Sequence, residues 1–145
     1  HGNGTQAIFW NQEGLIFCST HQSALYPGTG DTTETGIFGN IVNAPLPPSS
    51  GSNEFRKAME TVIFPALRAF DPEFLLISAG FDAHADDPLA LLNFTDDDYG
   101  WVTEQLCALA KKHCDGRVVS TLEGGYNLEA LARSAVTHVK ALLAA

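Results

Sequence analysis

The stretch Ile77-Ser-Ala-Gly-Phe-Asp-Ala-His-Ala-Asp-Asp-Pro-Leu89 decides the fold class of this chain. The apolar run Phe74–Ile77 leads into it and predicts a buried strand, which stops at Gly80 and is followed by Asp82. In α/β proteins, ligands and metals bind at the carboxyl ends of parallel strands. Asp82 is therefore the first candidate functional residue.

Three other apolar runs are equally continuous, which is typical of strands covered on both faces. The four predicted strands are Leu15–Ser19, Ile37–Val42, Phe74–Ser78 and Val118–Leu122. Helical patterns lie between them. This alternation predicts an α/β fold with three layers, in which helices flank a mainly parallel sheet with right-handed crossovers.

Three helices are predicted from apolar spacing and from residues typical of helix ends. The first has apolar residues at three- and four-residue spacing from Phe55 to Phe70, with Ser52 as its N-cap, and Pro65 should kink or divide it. The second begins at Thr95, with Asp98 completing a capping box, and stops at Gly116. The third runs from about Leu128 to Leu143.

Length and composition limit the classes of function. The chain has 145 residues, enough for one domain, with 45% hydrophobic and 17% charged residues, as in folded proteins. Its net charge of −9 argues against direct nucleic-acid binding and suits a cationic substrate better than an anionic one. No apolar run approaches the ~20 residues of a membrane helix. Three cysteines without a CxxC pair predict buried thiols and a reducing, cytoplasmic compartment.

Two further segments carry residues suited to chemistry, Leu122-Glu-Gly-Gly-Tyr-Asn-Leu128 and the opening His1-Gly-Asn-Gly-Thr-Gln6. Together with the Asp82 segment, they resemble the arginase–deacetylase superfamily. Within it the match is to zinc-dependent deacetylases, namely class II-type histone deacetylases, acetylpolyamine amidohydrolases and acetoin-utilisation proteins. The resemblance covers nearly all of residues 1–145 and implies the carboxy-terminal part of a single deacetylase domain, with an incomplete arginase–deacetylase-like fold.

The resemblance changes the interpretation of Asp82. On spacing alone, this carboxylate would more often cap backbone N–H groups of a loop, whereas in the family the matching Asp is a zinc ligand. His84 is not a ligand there, and we expect it to stabilise the loop. His1 matches the second His of the family's Asp-x-His-His-Gly motif, so the other two zinc ligands and both catalytic histidines would precede residue 1. The resemblance therefore implies a fragment that is inactive alone.

Tyr126 is the sharpest catalytic candidate. A phenolic O–H aimed at an amide carbonyl stabilises the negative charge that develops during hydrolysis, and Gly124 and Gly125 would let the backbone approach the substrate. Without the resemblance, a Tyr after two glycines is more often a packing residue. Asn3 matches a residue that orients one of the missing histidines; the alternative is an Asn that favours a left-handed turn.

The remaining predicted site residues line a substrate tunnel or hold monovalent cations. The resemblance places Tyr26, in a segment with Pro27, on the wall of an acyl-lysine tunnel, where an aromatic ring suits a methylene stem. It also implies K⁺ ligation by the Ser19 hydroxyl and the Thr20 carbonyl, although a hydroxyl that satisfies a strand end is an equal alternative. Backbone carbonyls of Phe9, Gln12 and Leu15 would bind a second monovalent ion.

Three histidines, His21, His113 and His138, have no partner in the sequence and are expected at surfaces or helix ends. For the full-length protein, the resemblance implies zinc-dependent hydrolysis of an acetyl-amide of the acetyl-lysine or acetylpolyamine type. The alternative is a non-catalytic module that self-associates as a homo-oligomer, because open sheet edges and half an active site invite association.

Overall fold

A computed structural model describes residues 1–145 of the chain. The strands are β1 (Phe17–Gln22), β2 (Ile41–Leu46), β3 (Leu75–Ala79) and β4 (Val118–Leu122). The helices are α1 (Asn3–Phe9), α2 (Ser52–Ala58), α3 (Phe64–Phe70), α4 (Asp96–His113) and α5 (Leu128–Leu143), and a π-helical segment, Met59–Ile63, joins α2 to α3.

The strands form two separate parallel pairs. In one pair Phe17 of β1 lies opposite Ile41 of β2, and in the other Leu75 of β3 lies opposite Val118 of β4. The predicted α/β class with parallel strands is therefore confirmed. β2 begins four residues later than predicted, because Gly36 and Gly39 adopt left-handed backbone conformations that make the preceding residues a turn.

The core lies between the helices and the inner faces of the strands. Phe55 of α2, Ile63 of the π segment, and Phe81, Phe94 and Tyr99 belong to one buried cluster. The rings of Phe55 and Phe94 lie 4.3 Å apart, and those of Phe81 and Tyr99 lie 4.9 Å apart. This cluster fixes the loop after β3, which contains Phe81, against α4.

The strands are less covered than predicted. Leu76 of β3 and Val119 of β4 are 63% and 49% exposed, so one face of this pair is open to solvent within residues 1–145. The expectation that all four strands are covered on both faces is therefore wrong for the described residues. None of the helices combines the length and the apolarity needed to cross a bilayer.

The helix predicted from Phe55 to Phe70 continues through Pro65, but a wider π turn over Met59–Ile63 interrupts its α-helical geometry. Proline has no N–H and its ring clashes with the preceding turn, which accounts for the division. The N-cap is Gly51, one residue before the predicted Ser52. Ser52 instead donates its hydroxyl to Asp98 at 2.7 Å.

The predicted ends of α4 and α5 are confirmed. Thr95 caps α4, with its N–H donating to the Asp98 carboxylate at 3.0 Å, and Gly116 follows the helix with its N–H bonded to the Ala110 carbonyl. Burial alone would raise the pKa of Asp98, but hydrogen bonds from Ser52, Thr95 and Arg56 lower it below its usual value. Asp98 therefore remains an anion that joins α2 to α4.

Helix α1 was not predicted, because its start has no capping side chain. The helix follows Gly2, which has a φ of 72°, and Asn3 is its first residue. The left-handed conformation proposed for Asn3 is thus found one residue earlier. The prediction of buried thiols holds best for Cys107 and Cys114, whereas Cys18 is half-buried; desolvation raises its pKa to about 12.

Candidate active site

Asp82 follows the end of β3, in the position predicted from its motif. Its carboxylate lies directly against the backbone of Gly124, where an added Cβ would stand 2.8 Å from Asp82 Cγ. Asp87, in the same loop, accepts backbone N–H bonds from Leu89 at 3.0 Å and from Tyr126, after β4, at 2.8 Å. The Asp82 carboxylate is engaged by no such bond, so the alternative of a loop cap finds no support in its contacts.

The segment that carries Tyr126 continues the β3–β4 pairing beyond the strands. Glu123 N–H donates to the Ala79 carbonyl at 3.0 Å, and Phe81 N–H donates to the Gly124 carbonyl at 2.8 Å. Gly125 has a φ of 142°, and an added Cβ would lie 2.9 Å from Leu131. Only glycine suits this position, because space and backbone conformation both exclude a side chain.

A cleft of about 1220 Å³ contains most of the predicted site residues. Its lining includes Asp82, Gly124 and Tyr126 as well as Tyr26, Ser19, Thr20, Phe9 and Leu15. The Tyr126 side chain is 55% exposed and that of Tyr26 is 90% exposed, so both rings are free to contact a substrate. Asn3, Gln12, Pro27 and Gly125 are not among the residues that line this cleft.

The edges of two strands face the same cleft. All residues of β1 and all residues of β3 contribute to its lining. Within residues 1–145, β1 pairs only with β2 and β3 pairs only with β4, so each has one edge without a partner strand. Unpaired backbone groups at such edges readily accept another strand.

The predicted potassium ligand Ser19 lies in a hydrogen-bonded group with His21. The Ser19 hydroxyl is 3.1 Å from the His1 carbonyl and 3.0 Å from His21 Nδ1, and His21 Nε2 is 3.0 Å from the Gly30 carbonyl. Because a carbonyl only accepts, Nε2 carries the proton in the neutral ring. Burial lowers the pKa of His21, which favours that form. The expectation that His21 lacks a partner is therefore wrong.

The predicted second cation site contains an amide group. Asn40 is buried and donates its side-chain N–H groups to the carbonyls of Phe9, at 2.8 Å, and Gln12, at 3.2 Å. Asn40 Oδ1 has no hydrogen-bond partner. Two of the three carbonyls assigned to a monovalent ion thus already have a donor, and ligation by Leu15 remains a prediction.

Two other histidines also have partners that the sequence did not reveal. His113 contacts the Asp71 carboxylate at 2.6 Å across the α3–α4 interface. His138 is buried between Thr103 and Ser120, at 2.7 and 2.8 Å. The Thr103 hydroxyl donates to the Tyr99 carbonyl, so it accepts from His138 Nδ1–H, and Nε2 accepts from Ser120. For His84, the predicted loop-stabilising role is supported by its contacts. Its Nδ1 accepts from the Asp86 N–H at 3.0 Å, and its Nε2 lies 3.2 Å from the Asp96 carboxylate.

Glu34, Gln6 and Asn43 form a polar group that no sequence motif indicated. Glu34 accepts hydrogen bonds from the Gly30 N–H and from the Gln6 amide, and these contacts lower its pKa. Gln6 in turn accepts from Asn43 of β2 at 2.8 Å. Gln6 and Asn43 are amides that stand beside apolar residues in the sequence, and this was the only sequence signal. No short-range spacing connects Gln6, Glu34 and Asn43.

Metal binding can be assessed from the donor set. Among residues 1–145, no three His, Cys, Asp or Glu side chains come close enough together to hold a metal ion. The Asp82 carboxylate fits one position of such a site, since it is an oxygen donor without a hydrogen-bond partner on the cleft wall. A complete metal site would require ligands from beyond these residues.

Comparison with known families identifies relatives over nearly the whole chain. A family model described as the histone deacetylase domain matches residues 1–142. A probable deacetylase of Archaeoglobus fulgidus is 46% identical over 132 residues, which cover 89% of this chain and 37% of the relative. The chain spans about a third of the length of the curated relatives it matches.

Solved structures agree with this match. The HD domain of HDA15 has a TM-score of 0.90 and 38% sequence identity, and the alignment covers 99% of this chain and 41% of that one. Acetylpolyamine aminohydrolase from Burkholderia pseudomallei has a TM-score of 0.89 and 30% identity, with 98% and 42% covered. The arrangement of strands, helices and site loops is therefore shared with these structures.

Proposed function

This chain belongs to the histone deacetylase family, and from that premise we propose that the whole protein is a zinc-dependent deacetylase. It would hydrolyse the acetyl-amide bond of an acetylated amine. The observation that carries this proposal is the position of the free Asp82 carboxylate against Gly124, two residues before Tyr126, on the wall of one cleft. The metal ion held by Asp82 and the O–H of Tyr126 would thus both contact the acetyl carbonyl.

The residues of this chain would have distinct tasks. Asp82 would supply one carboxylate ligand for Zn²⁺. When bound, Zn²⁺ would act as a Lewis acid toward the acetyl carbonyl and water. Tyr126 would donate its O–H to the carbonyl oxygen as negative charge develops there. The remaining ligands and the general base would come from the rest of the whole protein.

The substrate would be an acetylated amine with an extended aliphatic stem. The exposed ring of Tyr26, followed by Pro27, would contact the methylene groups of that stem. The net charge of −9 favours a cationic molecule near the cleft. Acetyl-lysine in a peptide and an acetylpolyamine both meet these requirements, and one of the two similar structures is an acetylpolyamine aminohydrolase.

The test uses the whole protein loaded with zinc and assayed on an acetyl-lysine peptide and on an acetylpolyamine. We expect turnover on at least one, and loss of both zinc and activity in Asp82→Ala with the far-ultraviolet circular dichroism unchanged. A variant that keeps stoichiometric zinc and most of its turnover would refute the role of Asp82. Absence of hydrolysis by the zinc-loaded wild type on both substrates would refute the proposed function.

A second candidate function is that of a non-catalytic assembly module. The free edges of β1 and β3, which face one cleft, favour it, since strand addition at these edges would join two copies. Sedimentation of residues 1–145 distinguishes the two functions. A stable dimer that forms without zinc would support the module, whereas a monomer would leave the enzyme as the only candidate.

A further inference from the structure

We propose that Asp87 is a positioning residue for Tyr126, and that it acts by accepting the backbone N–H of Tyr126 on its carboxylate. The inference rests on the proposed function, since its consequence is the placement of the oxyanion donor. Asp87 lies in the Asp-Pro-Leu part of the motif that contains Asp82, but the sequence assigned it no role. What identifies it is its contacts.

Asp87 is almost completely buried, with 8% of its surface exposed, and both carboxylate oxygens have specific donors. Oδ2 accepts from the Tyr126 N–H at 2.8 Å, and Oδ1 accepts from the Leu89 N–H at 3.0 Å. These two residues lie 37 positions apart in the sequence but meet on one carboxylate. A buried anion with two backbone donors is held in one orientation, because either lost bond would leave an unpaired charge.

The residues before Tyr126 cannot fix its position by themselves. Gly124 and Gly125 precede it, and glycine has the widest range of backbone conformations of all residues. Gly124 has no side chain because Asp82 occupies that space, and Gly125 has none because of Leu131. Because both positions must be glycine, the backbone immediately before Tyr126 is poorly restrained. A contact from outside this segment is therefore needed to hold Tyr126 in place.

The loop that supplies this anchor is itself fixed at several points. The Asp86 carbonyl accepts from the Asn127 side chain at 3.1 Å, and the Asp86 carboxylate pairs with Arg133 of α5 at 3.1 Å. His84 is buried and lies 3.2 Å from the Asp96 carboxylate at the start of α4. The loop is thus attached to the beginning of both α4 and α5, so Asp87 is a fixed reference point for Tyr126.

Asp82 and Asp87 belong to the same short loop, and Tyr126 is bonded to one of them. The position of the oxyanion donor is therefore set relative to the proposed metal-ligand carboxylate through only six residues of chain, 82–87. A displacement of about 1 Å at a reacting group is enough to cost orders of magnitude in rate. This contact would preserve the alignment of the two catalytic elements on each turnover.

The chemistry of the contact predicts that an amide cannot replace the carboxylate. Asp87 accepts two N–H bonds on two oxygens, whereas Asn has only one accepting oxygen and would turn an NH₂ group toward one of the N–H donors. Asp87→Asn keeps the size of the side chain but breaks one of the two bonds. It is therefore a suitable variant for a test that avoids a cavity.

The first measurement is independent of activity. In the whole zinc-loaded protein, the amide hydrogen of Tyr126 should exchange with solvent at least about tenfold faster in Asp87→Asn than in the wild type, because its acceptor is either lost or changed from a carboxylate to a weaker, neutral amide oxygen. Asp97→Asn is the matched control. It makes the same chemical change at an exposed carboxylate in the first turn of α4, so Tyr126 exchange should stay within about threefold of the wild type. Equal exchange rates in Asp87→Asn and wild type would overturn the proposed contact.

The second measurement is a double-mutant cycle on hydrolysis of an acetyl-lysine peptide, with zinc content determined for each variant. Asp87→Asn should lower kcat at least about tenfold with KM within about threefold, and should lower it less than about twofold in the Tyr126→Phe background. A loss of the same size in both backgrounds, or a loss of zinc, would show a structural role and overturn the proposal. A wild type that is inactive but shows the exchange difference would refute the proposed function and leave the backbone anchor established.

Discussion

The carboxylate of Asp82 and the backbone of Gly124 lie so close that no side chain fits between them. An added Cβ on Gly124 would be 2.8 Å from Asp82 Cγ and 2.9 Å from its Oδ2. The contact joins the loop after β3 to the loop after β4. The observed orientation of the Asp82 carboxylate therefore requires a glycine at position 124.

Gly124→Ala should therefore displace the Asp82 carboxylate. We expect the zinc affinity of the whole protein to fall at least about tenfold, the size of effect that follows when the support of a metal ligand is altered. Competition with a zinc-binding dye measures it. Gly4→Ala in α1 is the control, since an added Cβ there meets no atom within 4 Å. Unchanged zinc affinity in Gly124→Ala would mean that the carboxylate adapts without cost.

Tyr126→Phe should keep zinc and fold while it loses most of kcat. The substitution removes one oxygen from a half-exposed ring, so packing changes little. Single oxyanion donors contribute about 10²–10³ in rate, whereas binding of the neutral ground-state carbonyl depends on them less. Steady-state kinetics on a peptide and on a polyamine measure kcat and KM. A loss confined to KM would mean that another group stabilises the oxyanion.

Asn40→Ala should destabilise the chain by about 1–3 kcal/mol, because the carbonyls of Phe9 and Gln12 lose their donor in a buried setting. Urea unfolding of residues 1–145 measures this free energy, with Asn11→Ala as an exposed control. Addition of K⁺ gives a second result. If a monovalent ion binds these carbonyls, K⁺ should restore stability to Asn40→Ala, and no restoration would argue against a second ion there.

Stability should decrease as the pH falls below about 6.5, the ordinary pKa of histidine. Burial lowers the pKa of His138 in the folded chain, so the unfolded state gains the proton first and the folded state loses stability between the two pKa values. His21 contributes in the same direction. Urea midpoints at pH 7 and pH 5 should differ less in His138→Gln than in wild type. Equal pH dependence would show that His138 is protonated without cost. The carboxylates of Asp96 and Asp98, whose pKa values are lowered, act only at more acidic pH.

The fold class could be predicted from the sequence because its signals are local. Continuous apolar runs identified four strands, and the Thr95–Asp98 capping pair located the start of α4. Errors occurred where local signals are weak. α1 has no capping side chain, and the turn before β2 depends on the backbone conformation of Gly36 and Gly39.

The site was predictable only in part for the same reason. Asp82, Gly124 and Tyr126 lie in short motifs and were named from them, and the structure places all three on one cleft. Asp87, Asn40 and the partners of His138 depend on residues 18 to 39 positions away. No periodicity connects residues at such separations, so only the folded chain reveals them.

Asn127 makes two sets of hydrogen bonds that would link thermal stability to the proposed catalysis. Its Oδ1 caps α5 by accepting from the backbone N–H groups of Glu129 and Ala130, while its Nδ2 holds the Asp86 carbonyl. Fraying of the first turn of α5, one of the least costly openings available to a helix, therefore releases the loop beside Tyr126 as well. Thermal inactivation should then begin several degrees below the cooperative melting of the chain, and a tighter first turn of α5 would raise the working temperature of the proposed enzyme without any change in its core.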